Sequence, residues 1–333
     1  MDISIIIPSF NALGKLERCL TSLRNQTIDS SRYEVIFVDD CSNDGTFDYL
    51  RQQEAYEPNW RVLQLPQNSG SPSKPRNVGT AEARGEFVFF LDCDDEIFAD
   101  TLEMHYAHAK RTNACIVRGY LITDDGQHHQ EMNRLSDWRS NASKKAKIQT
   151  IVSRQSTTVP SLIKRALLIE NKVEWPEDIR VGEDSIFLVS LLCHCTTIEY
   201  LDHPTFIYNK RSSFRASSTQ EYGQRELNNH LCVWRRLISQ LQALDIDYVT
   251  LRLRIGLQTS INSLIHHGKN DINYQDFLKG FDKCLRLLYR IIKKPISENV
   301  SILWPSNLIK TLRFILVTML LQKILRIYCK NMK

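Results

Sequence analysis

The stretch Glu86 to Glu96, EFVFFLDCDDE, decides the fold. Phe87 to Leu91 are five apolar residues in a row, and Asp92, Cys93, Asp94 and Asp95 follow at once. A short unbroken apolar run rich in aromatic and β-branched side chains reads as a strand buried on both faces. Such strands sit in parallel sheets, with ligands at the carboxyl ends. The acidic cluster is therefore expected at the C-terminal end of a central strand. Three carboxylates in four residues repel one another and are costly to bury uncompensated. A divalent cation is the simplest compensation, and hard oxygen ligands suit Mg²⁺ or Mn²⁺, held by one or two carboxylates plus substrate phosphates. On its own a D-x-D triplet reads as a solvated acidic turn; the rest of the chain overturns that reading.

Working outward, the N-terminal side alternates strands and helices. Residues 3–7 form a buried strand stopped by Pro8, and residues 13–26 carry Leu16, Cys19, Leu20 and Leu23 at helical spacing. Residues 34–38 form a second buried strand ending in Asp39 and Asp40. The turn at residues 42–46 opens a helix over 47–54, and 62–65 is a third strand. A Gly-, Pro-, Ser- and Asn-rich loop covers 66–76, and a helix covers 77–83. This order predicts an α/β fold, a Rossmann-like and mostly parallel sheet with helices on both faces. Residues 8–11, 39–40 and 92–95 then converge on one rim, where such sheets bind nucleotides.

Size and composition fit this reading. The 333 residues suffice for one domain of about 200 residues and a smaller region. Hydrophobic residues at 42% and charged residues at 24% are ordinary for a globular chain. A net charge of +5 is modest, and no nucleic-acid partner is expected. Nine cysteines without C-x-x-C pairs predict free thiols in a reducing compartment. Cys193, His194 and Cys195 lie in the apolar helical run SIFLVSLLCHC and are read as core packing rather than a zinc site. The start, MDISIIIPSF, lacks a positive n-region and reads as the first strand rather than a signal peptide.

Five motifs in order resemble inverting glycosyltransferases of family 2, which have the GT-A fold. They are IIIPSFN (5–11), VDDCSNDGT (38–46), NSGSPSKPRNVG (68–79), FLDCDD (90–95) and GEDSIF (182–187). The long third motif, with NKRSSFRASST (209–219), narrows the resemblance to enzymes that attach N-acetylglucosamine to the poly(ribitol phosphate) of wall teichoic acid. The resemblance covers about residues 1 to 220.

The resemblance implies a role for each motif residue. Asp40 would accept from a uracil N3–H, Phe10 would offer its ring to the base, and Pro8 would shape the same pocket. Arg76 would face base and phosphates, where its fork suits an anion. Asp92 would reach ribose or sugar hydroxyls and Asp94 would bind the metal. Asp39 reads as structural, hydrogen-bonding the turn after it. Asp184 matches the family's catalytic base, and a carboxylate at a helix N-terminus also reads as a cap. Arg211, Ser217 and Ser218 lie on a loop that closes over the diphosphate in the resemblance. Arg215 stands where relatives have His, and a guanidinium does not ligate metal.

Between the motifs, residues 116–122 read as an edge strand and 123–126 as a turn, with His128 and His129 in a solvated loop. Lys144, Lys145 and Lys147 read as a solvated basic face or a contact for an anionic polymer. Residues 164–170 read as a short helix stopped at Trp175-Pro176.

From Gln224 onward the pattern is helical, with amphipathic stretches at 226–243, 248–266 and 274–293. The tail at 307–333 is basic, without an acidic residue, and its apolar part at 314–321 is far shorter than the ~20 residues that span a bilayer. It fits either a membrane-surface helix or a helix packed on the domain or on another subunit of a homo-oligomer.

The expectation is a bacterial glycosyltransferase, cytoplasmic or peripheral on the inner membrane face. It would use a UDP-sugar and Mn²⁺ or Mg²⁺. Its acceptor would be a teichoic acid, capsule or lipooligosaccharide polymer, or a lipid-linked precursor. Residues 1–220 would form the catalytic domain and 221–333 a helical region. Two other readings stand beside it, a non-catalytic nucleotide-sugar-binding subunit and a nucleotidyltransferase. The second normally has a Gly-rich basic phosphate loop after strand one, which residues 8–15 lack.

Overall fold

The computed structural model describes residues 1–155, 161–210 and 224–246. Arg211, Arg215, Ser217, Ser218 and every segment expected beyond residue 246 lie outside the described residues.

A nine-stranded mixed sheet forms the centre. Its first four strands are β1 (Ile3–Ser9), β2 (Tyr33–Asp39), β3 (Trp60–Gln64) and β4 (Phe87–Phe90). Then come β5 (Glu96–Ile97), β6 (Ile116–Asp124), β7 (His129–Met132), β8 (Ser161–Lys164) and β9 (Ile198–Asn209). The order is β3-β2-β1-β4-β8-β6-β9-β5, with β7 hairpinned onto β6. β1, β2, β3 and β4 are mutually parallel, and β9 is parallel to β6. Because β8 runs against both β4 and β6, strands β3, β2, β1, β4, β6 and β9 all point one way. Every residue of β1, β2 and β4 is buried, as their near-continuous apolar runs demand.

Helices α1 (Leu16–Arg24), α2 (Thr46–Glu54), α3 (Ser73–Glu82) and α4 (Thr101–Thr112) belong to the N-terminal half. The remaining helices are α5 (Lys144–Arg154), α6 (Arg165–Glu170), α7 (Glu183–His194) and α8 (Gln224–Ala243). α1 starts three residues later than its spacing suggests. The loop before it is pinned, Ala12 N donating to Thr46 Oγ1 at 2.8 Å and Leu13 N to Asp44 Oδ2 at 3.2 Å. α3 starts four residues earlier than expected. Pro72 and Pro75 fall at its cap and first turn, where a missing N–H costs nothing, so they do not mark a loop.

The second half departs further from the sequence reading. β6 is internal, not an edge strand, because β8 and β9 cover both its sides. Its polar interruption, Arg118, is fully buried and donates to Gln155 Oε1 at 2.5 Å and Ser161 Oγ at 3.0 Å. β9 hides its strand character behind Pro204, which pairs with Tyr120 at an irregularity in the register. Residues 123–124 extend β6, and the turn lies at Asp125 to His128. His128 and His129 are both exposed, as expected, but His129 opens strand β7 rather than lying in a loop, because it pairs with Asp124.

Among the described residues no helix is long and apolar enough to cross a membrane. α8 is tied to the segment that leads into α7, where Arg180 N donates to Asn229 Oδ1 at 2.8 Å and Arg236 Nη1 to Asp178 Oδ1 at 3.0 Å.

Candidate active site

Three strand ends meet at one rim. In register, Ser9 pairs with Asp39 and Asp39 with Gln64, while Ile6 pairs with Phe90. Asp40 N donates to Ser9 O at 2.8 Å. Asn11 N donates to Ser42 Oγ at 2.9 Å and Asn43 N to Asn11 Oδ1 at 3.0 Å, so the first two motif loops brace each other. Asp39 Oδ2 accepts from Ser42 N at 2.9 Å and Gln64 Nε2 at 3.1 Å, the structural role its position suggests. Pro8 does not stop the first strand: it lies inside β1 in register with Val38, and the strand runs on to Ser9, while the Phe10 ring stands open at 49% exposure.

Asp40 is buried and engaged by the third motif. Its Oδ2 accepts from Asn68 Nδ2 and Ser69 Oγ, both at 3.0 Å, and its Oδ1 accepts from Ser69 N at 2.9 Å. Burial raises its pKa, against which the Ser69 hydrogen bonds act. The resemblance implies a ligand-reading role for Asp40; the structure shows it anchoring the loop that leads into α3.

The acidic turn follows β4. Asp95 N donates to Asp92 O at 3.1 Å, closing it. Asn209, the last residue of β9, clamps it from the far side. Its N donates to Asp95 Oδ1 at 3.0 Å and its Nδ2 to Asp94 O at 2.5 Å. Asp95 is the buried carboxylate, raised well above its ordinary pKa by burial and then by Asp92 and Asp94. Asp94 is raised by burial and by Asp92, while Lys15 opposes the shift.

α3 brings Arg76 over this turn. Gly79 permits the approach, since a Cβ there would stand 2.4 Å from Ile6 Cγ2. Arg76 is 5% exposed. Its Nη2 donates to Asp92 Oδ1 at 2.6 Å and its Nη1 lies 3.6 Å from Glu183 Oε1. Its Cζ sits 4.2 Å from the Trp175 ring centroid. Among the described residues, Arg76 Nε and Nη1 have no hydrogen-bond partner.

α7 supplies the opposite wall. Gly182 precedes it at φ 90°, a left-handed conformation that favours glycine, so the chain turns sharply into Glu183 and Asp184. Asp184 Oδ1 accepts from Ser185 N at 2.7 Å. Burial, and then the Asp184 charge, push the Glu183 carboxyl up to about 7, with Arg76 pulling the other way. Asp92, Glu183 and Asp184 all favour the charged form of Arg76, so these four groups form one electrostatic unit.

Thus Arg76, Asp92, Asp94 and Asp184 gather at the rim, with Pro8, Phe10 and Asp40 on the adjoining strand ends. Sequence reading passed over several contributors. Trp175 is not a helix stop, since α6 ends at Glu170 and the Trp175 ring is buried under Arg76. Asn77 pins its backbone, Trp175 N donating to Asn77 Oδ1 at 2.8 Å and Asn77 Nδ2 to Trp175 O at 2.9 Å.

The basic run on α5 is exposed at Lys144 and Lys145, as expected, but not at Lys147. Lys147 is buried and donates to Glu199 Oε1 at 2.9 Å, Lys144 donates to Cys193 O at 2.9 Å, and Lys145 pairs with Asp245. Cys195 is buried, as core packing predicts, while His194 points outward. The described cysteines are free thiols. Among the described residues no group of three His, Cys, Asp or Glu side chains is arranged to hold a metal by itself.

The chain is 34% identical over 195 residues to a poly(ribitol-phosphate) beta-glucosyltransferase of Bacillus spizizenii, covering 57% of this chain and 29% of that protein. It is 32% identical over 221 residues to the poly(ribitol-phosphate) beta-N-acetylglucosaminyltransferase TarS of Staphylococcus aureus, covering 66% of this chain and 37% of TarS. It thus spans well under half the length of these two relatives. The crystal structure of S. aureus TarS 1-349 with UDP-GlcNAc superposes with a TM-score of 0.60 at 24% identity, over 79% of this chain and 72% of that one, and shares its fold. Residues 4–170, with the three parallel strand ends and the acidic turn, match glycosyl transferase family 2, and the chain belongs to that family.

Proposed function

We propose that the chain transfers a sugar from a UDP-sugar to a hydroxyl of a bacterial cell-surface polymer, inverting the anomeric centre. The observation that carries this is the Arg76 link between Asp92 of the acidic turn and Glu183, the residue before Asp184, which supports reading Arg76 as a donor-binding group beside a base. Asp40, Phe10 and Pro8 would take the uracil, Asp92 the ribose or sugar hydroxyls, and Arg76 the diphosphate. Arg211, Ser217 and Ser218 would close over the diphosphate, as the resemblance implies.

Asp94 would hold Mn²⁺ or Mg²⁺. The residues fit such an ion: the turn offers hard carboxylate oxygens, and burial, followed by repulsion from Asp92, raises Asp94, a repulsion that a cation would relieve. With no three-residue ligand set among the described residues, the other ligands would come from the diphosphate and water. When bound, the metal neutralises charge on the departing diphosphate. Asp184 accepts the acceptor's hydroxyl proton as that oxygen attacks the anomeric carbon. The new bond forms on the face opposite the breaking C–O bond, whose electron pair leaves with UDP.

The names of the relatives support a polyol-phosphate acceptor of the teichoic acid type. A capsule or lipooligosaccharide acceptor fits the same motifs. The work would take place in the cytoplasm or at the inner membrane face, with residues 1–220 catalytic and 221–333 contacting membrane or a second copy. The test is incubation of the full chain with a panel of nucleotide sugars and Mn²⁺, measuring UDP release with and without poly(ribitol phosphate). Release from a UDP-sugar, stimulated by the polymer, is expected. Tight UDP-sugar binding without turnover would favour a non-catalytic subunit.

A further inference from the structure

The Trp175 ring lies at the centre of a stack. Phe187 stacks on it at a centroid distance of 4.0 Å and an interplanar angle of 8°. The Arg76 Cζ stands 4.2 Å from the same ring. A phenyl ring and a guanidinium cannot both occupy one face at these distances, so they lie on opposite faces. Phe90, at the end of β4, meets both aromatic rings edge-on, at 5.1 Å from Trp175 and 5.5 Å from Phe187. Asn77 fixes the Trp175 backbone from both its N–H and its carbonyl. The indole Nε1, buried, has no hydrogen-bond partner among the described residues, so stacking and the backbone clamp hold the ring.

Arg76 needs such a platform. Of its five N–H donors, one direct hydrogen bond, from Nη2 to Asp92, is in place. A single bond fixes a point and leaves the plane free to turn. The flat indole face fixes the plane, and a buried cation–π contact stabilises the charge. Nε and Nη1 are then left oriented with donors to spare. Phe187 sits one turn after Glu183 on α7, so the helix bearing the candidate base is also the floor of the stack.

We propose that Trp175 is a positioning residue for transfer: clamped between Phe187 of α7 and the guanidinium of Arg76 on α3, its indole sets where that guanidinium stands between the acidic turn and the base helix. The proposal rests on the donor reading of the rim given above.

The experiment is a double-mutant cycle on the full chain, reading UDP affinity by calorimetry and transfer kinetics. Trp175→Leu removes the flat face and is expected to weaken UDP binding by about 10–30-fold, the worth of a buried cation–π contact. Trp175→Phe keeps a face and should stay within about threefold of wild type on the same scale. In an Arg76→Ala background, Trp175→Leu should cause no further loss, because its effect runs through the guanidinium. A full additional loss there would mean general packing and would overturn the proposal, as would unchanged affinity in the single variant. If Trp175→Leu does not fold, Asn77→Ala takes its place, freeing the ring's backbone; wild-type UDP affinity in that variant would likewise overturn it. A wild-type chain that binds no UDP would instead refute the donor reading itself.

Discussion

Arg76 donates to Asp92 at 2.6 Å, which ties the first carboxylate of the acidic turn to helix α3. The same guanidinium faces Glu183 on α7, so one side chain touches two of the five sequence motifs while belonging to a third. This convergence makes the rim a site rather than a row of loop ends.

Arg76→Lys keeps the charge and removes the fork. An ammonium is a point charge and does not bridge two carboxylates in a fixed plane. Loss of one charge-assisted hydrogen bond should weaken UDP-sugar binding by about 1.5–3 kcal/mol. Calorimetry with UDP checks this, and affinity equal to wild type would remove Arg76 from the donor site.

Glu183 gives a pH prediction. Burial raises its pKa from an ordinary 4.5 to about 7. Between those values the folded chain holds a proton that the unfolded chain has released, so stability falls as pH rises through that window. The stabilising contribution is complete below 4.5 and lost above 7. Glu183→Gln removes this titration. The Tm of wild type minus that of Glu183→Gln should therefore decline from pH 5 to pH 8. A difference that is flat or rising across the series would contradict the assigned burial.

Much of the N-terminal half was legible because its strands are unbroken apolar runs, which only a sheet covered on both faces accommodates. The Asp39 turn was legible as well, since its chemistry is local: Asp39 accepts from Ser42 N, three residues on. The second half was harder. β8 has four residues and β9 contains Pro204, so local pattern pointed away from those strands; β6 was legible as a strand, but its arginine, buried by partners 37 and 43 residues away, suggested an edge where the strand is internal. Lys147 misled for the same reason, since its partner Glu199 lies 52 residues away. The Arg76–Trp175 stack likewise joins residues 99 apart by number, and no local spacing encodes it.

Asp40→Asn should affect both loop and ligand. Asp40 accepts from Asn68 and Ser69 through both oxygens, and an amide presents donors where one oxygen stood. A drop in stability of about 1–3 kcal/mol is expected from the unsatisfied contact, together with weaker UDP binding. Chemical denaturation and calorimetry on the same preparation read both. Full stability would show that the Ser69 contacts are slack.

Asp94→Ala should abolish metal-dependent transfer while leaving the sheet intact, since Asp94 ends a turn that Asn209 holds by its backbone. EDTA should silence the wild type and Mn²⁺ restore it. Undiminished transfer in chelator would exclude a role for a divalent ion at the turn.

The central claim is that Asp184 takes the acceptor proton, and the transfer rate of Asp184→Asn tests it most directly. Asn caps a helix about as well as Asp, so the fold should survive. The account predicts a kcat lower by about 10²–10⁴ with UDP-sugar affinity and Tm nearly unchanged, the mark of an interaction made in the transition state. Turnover close to wild type would show that Asp184 only caps α7 and would pass the role of base to another group.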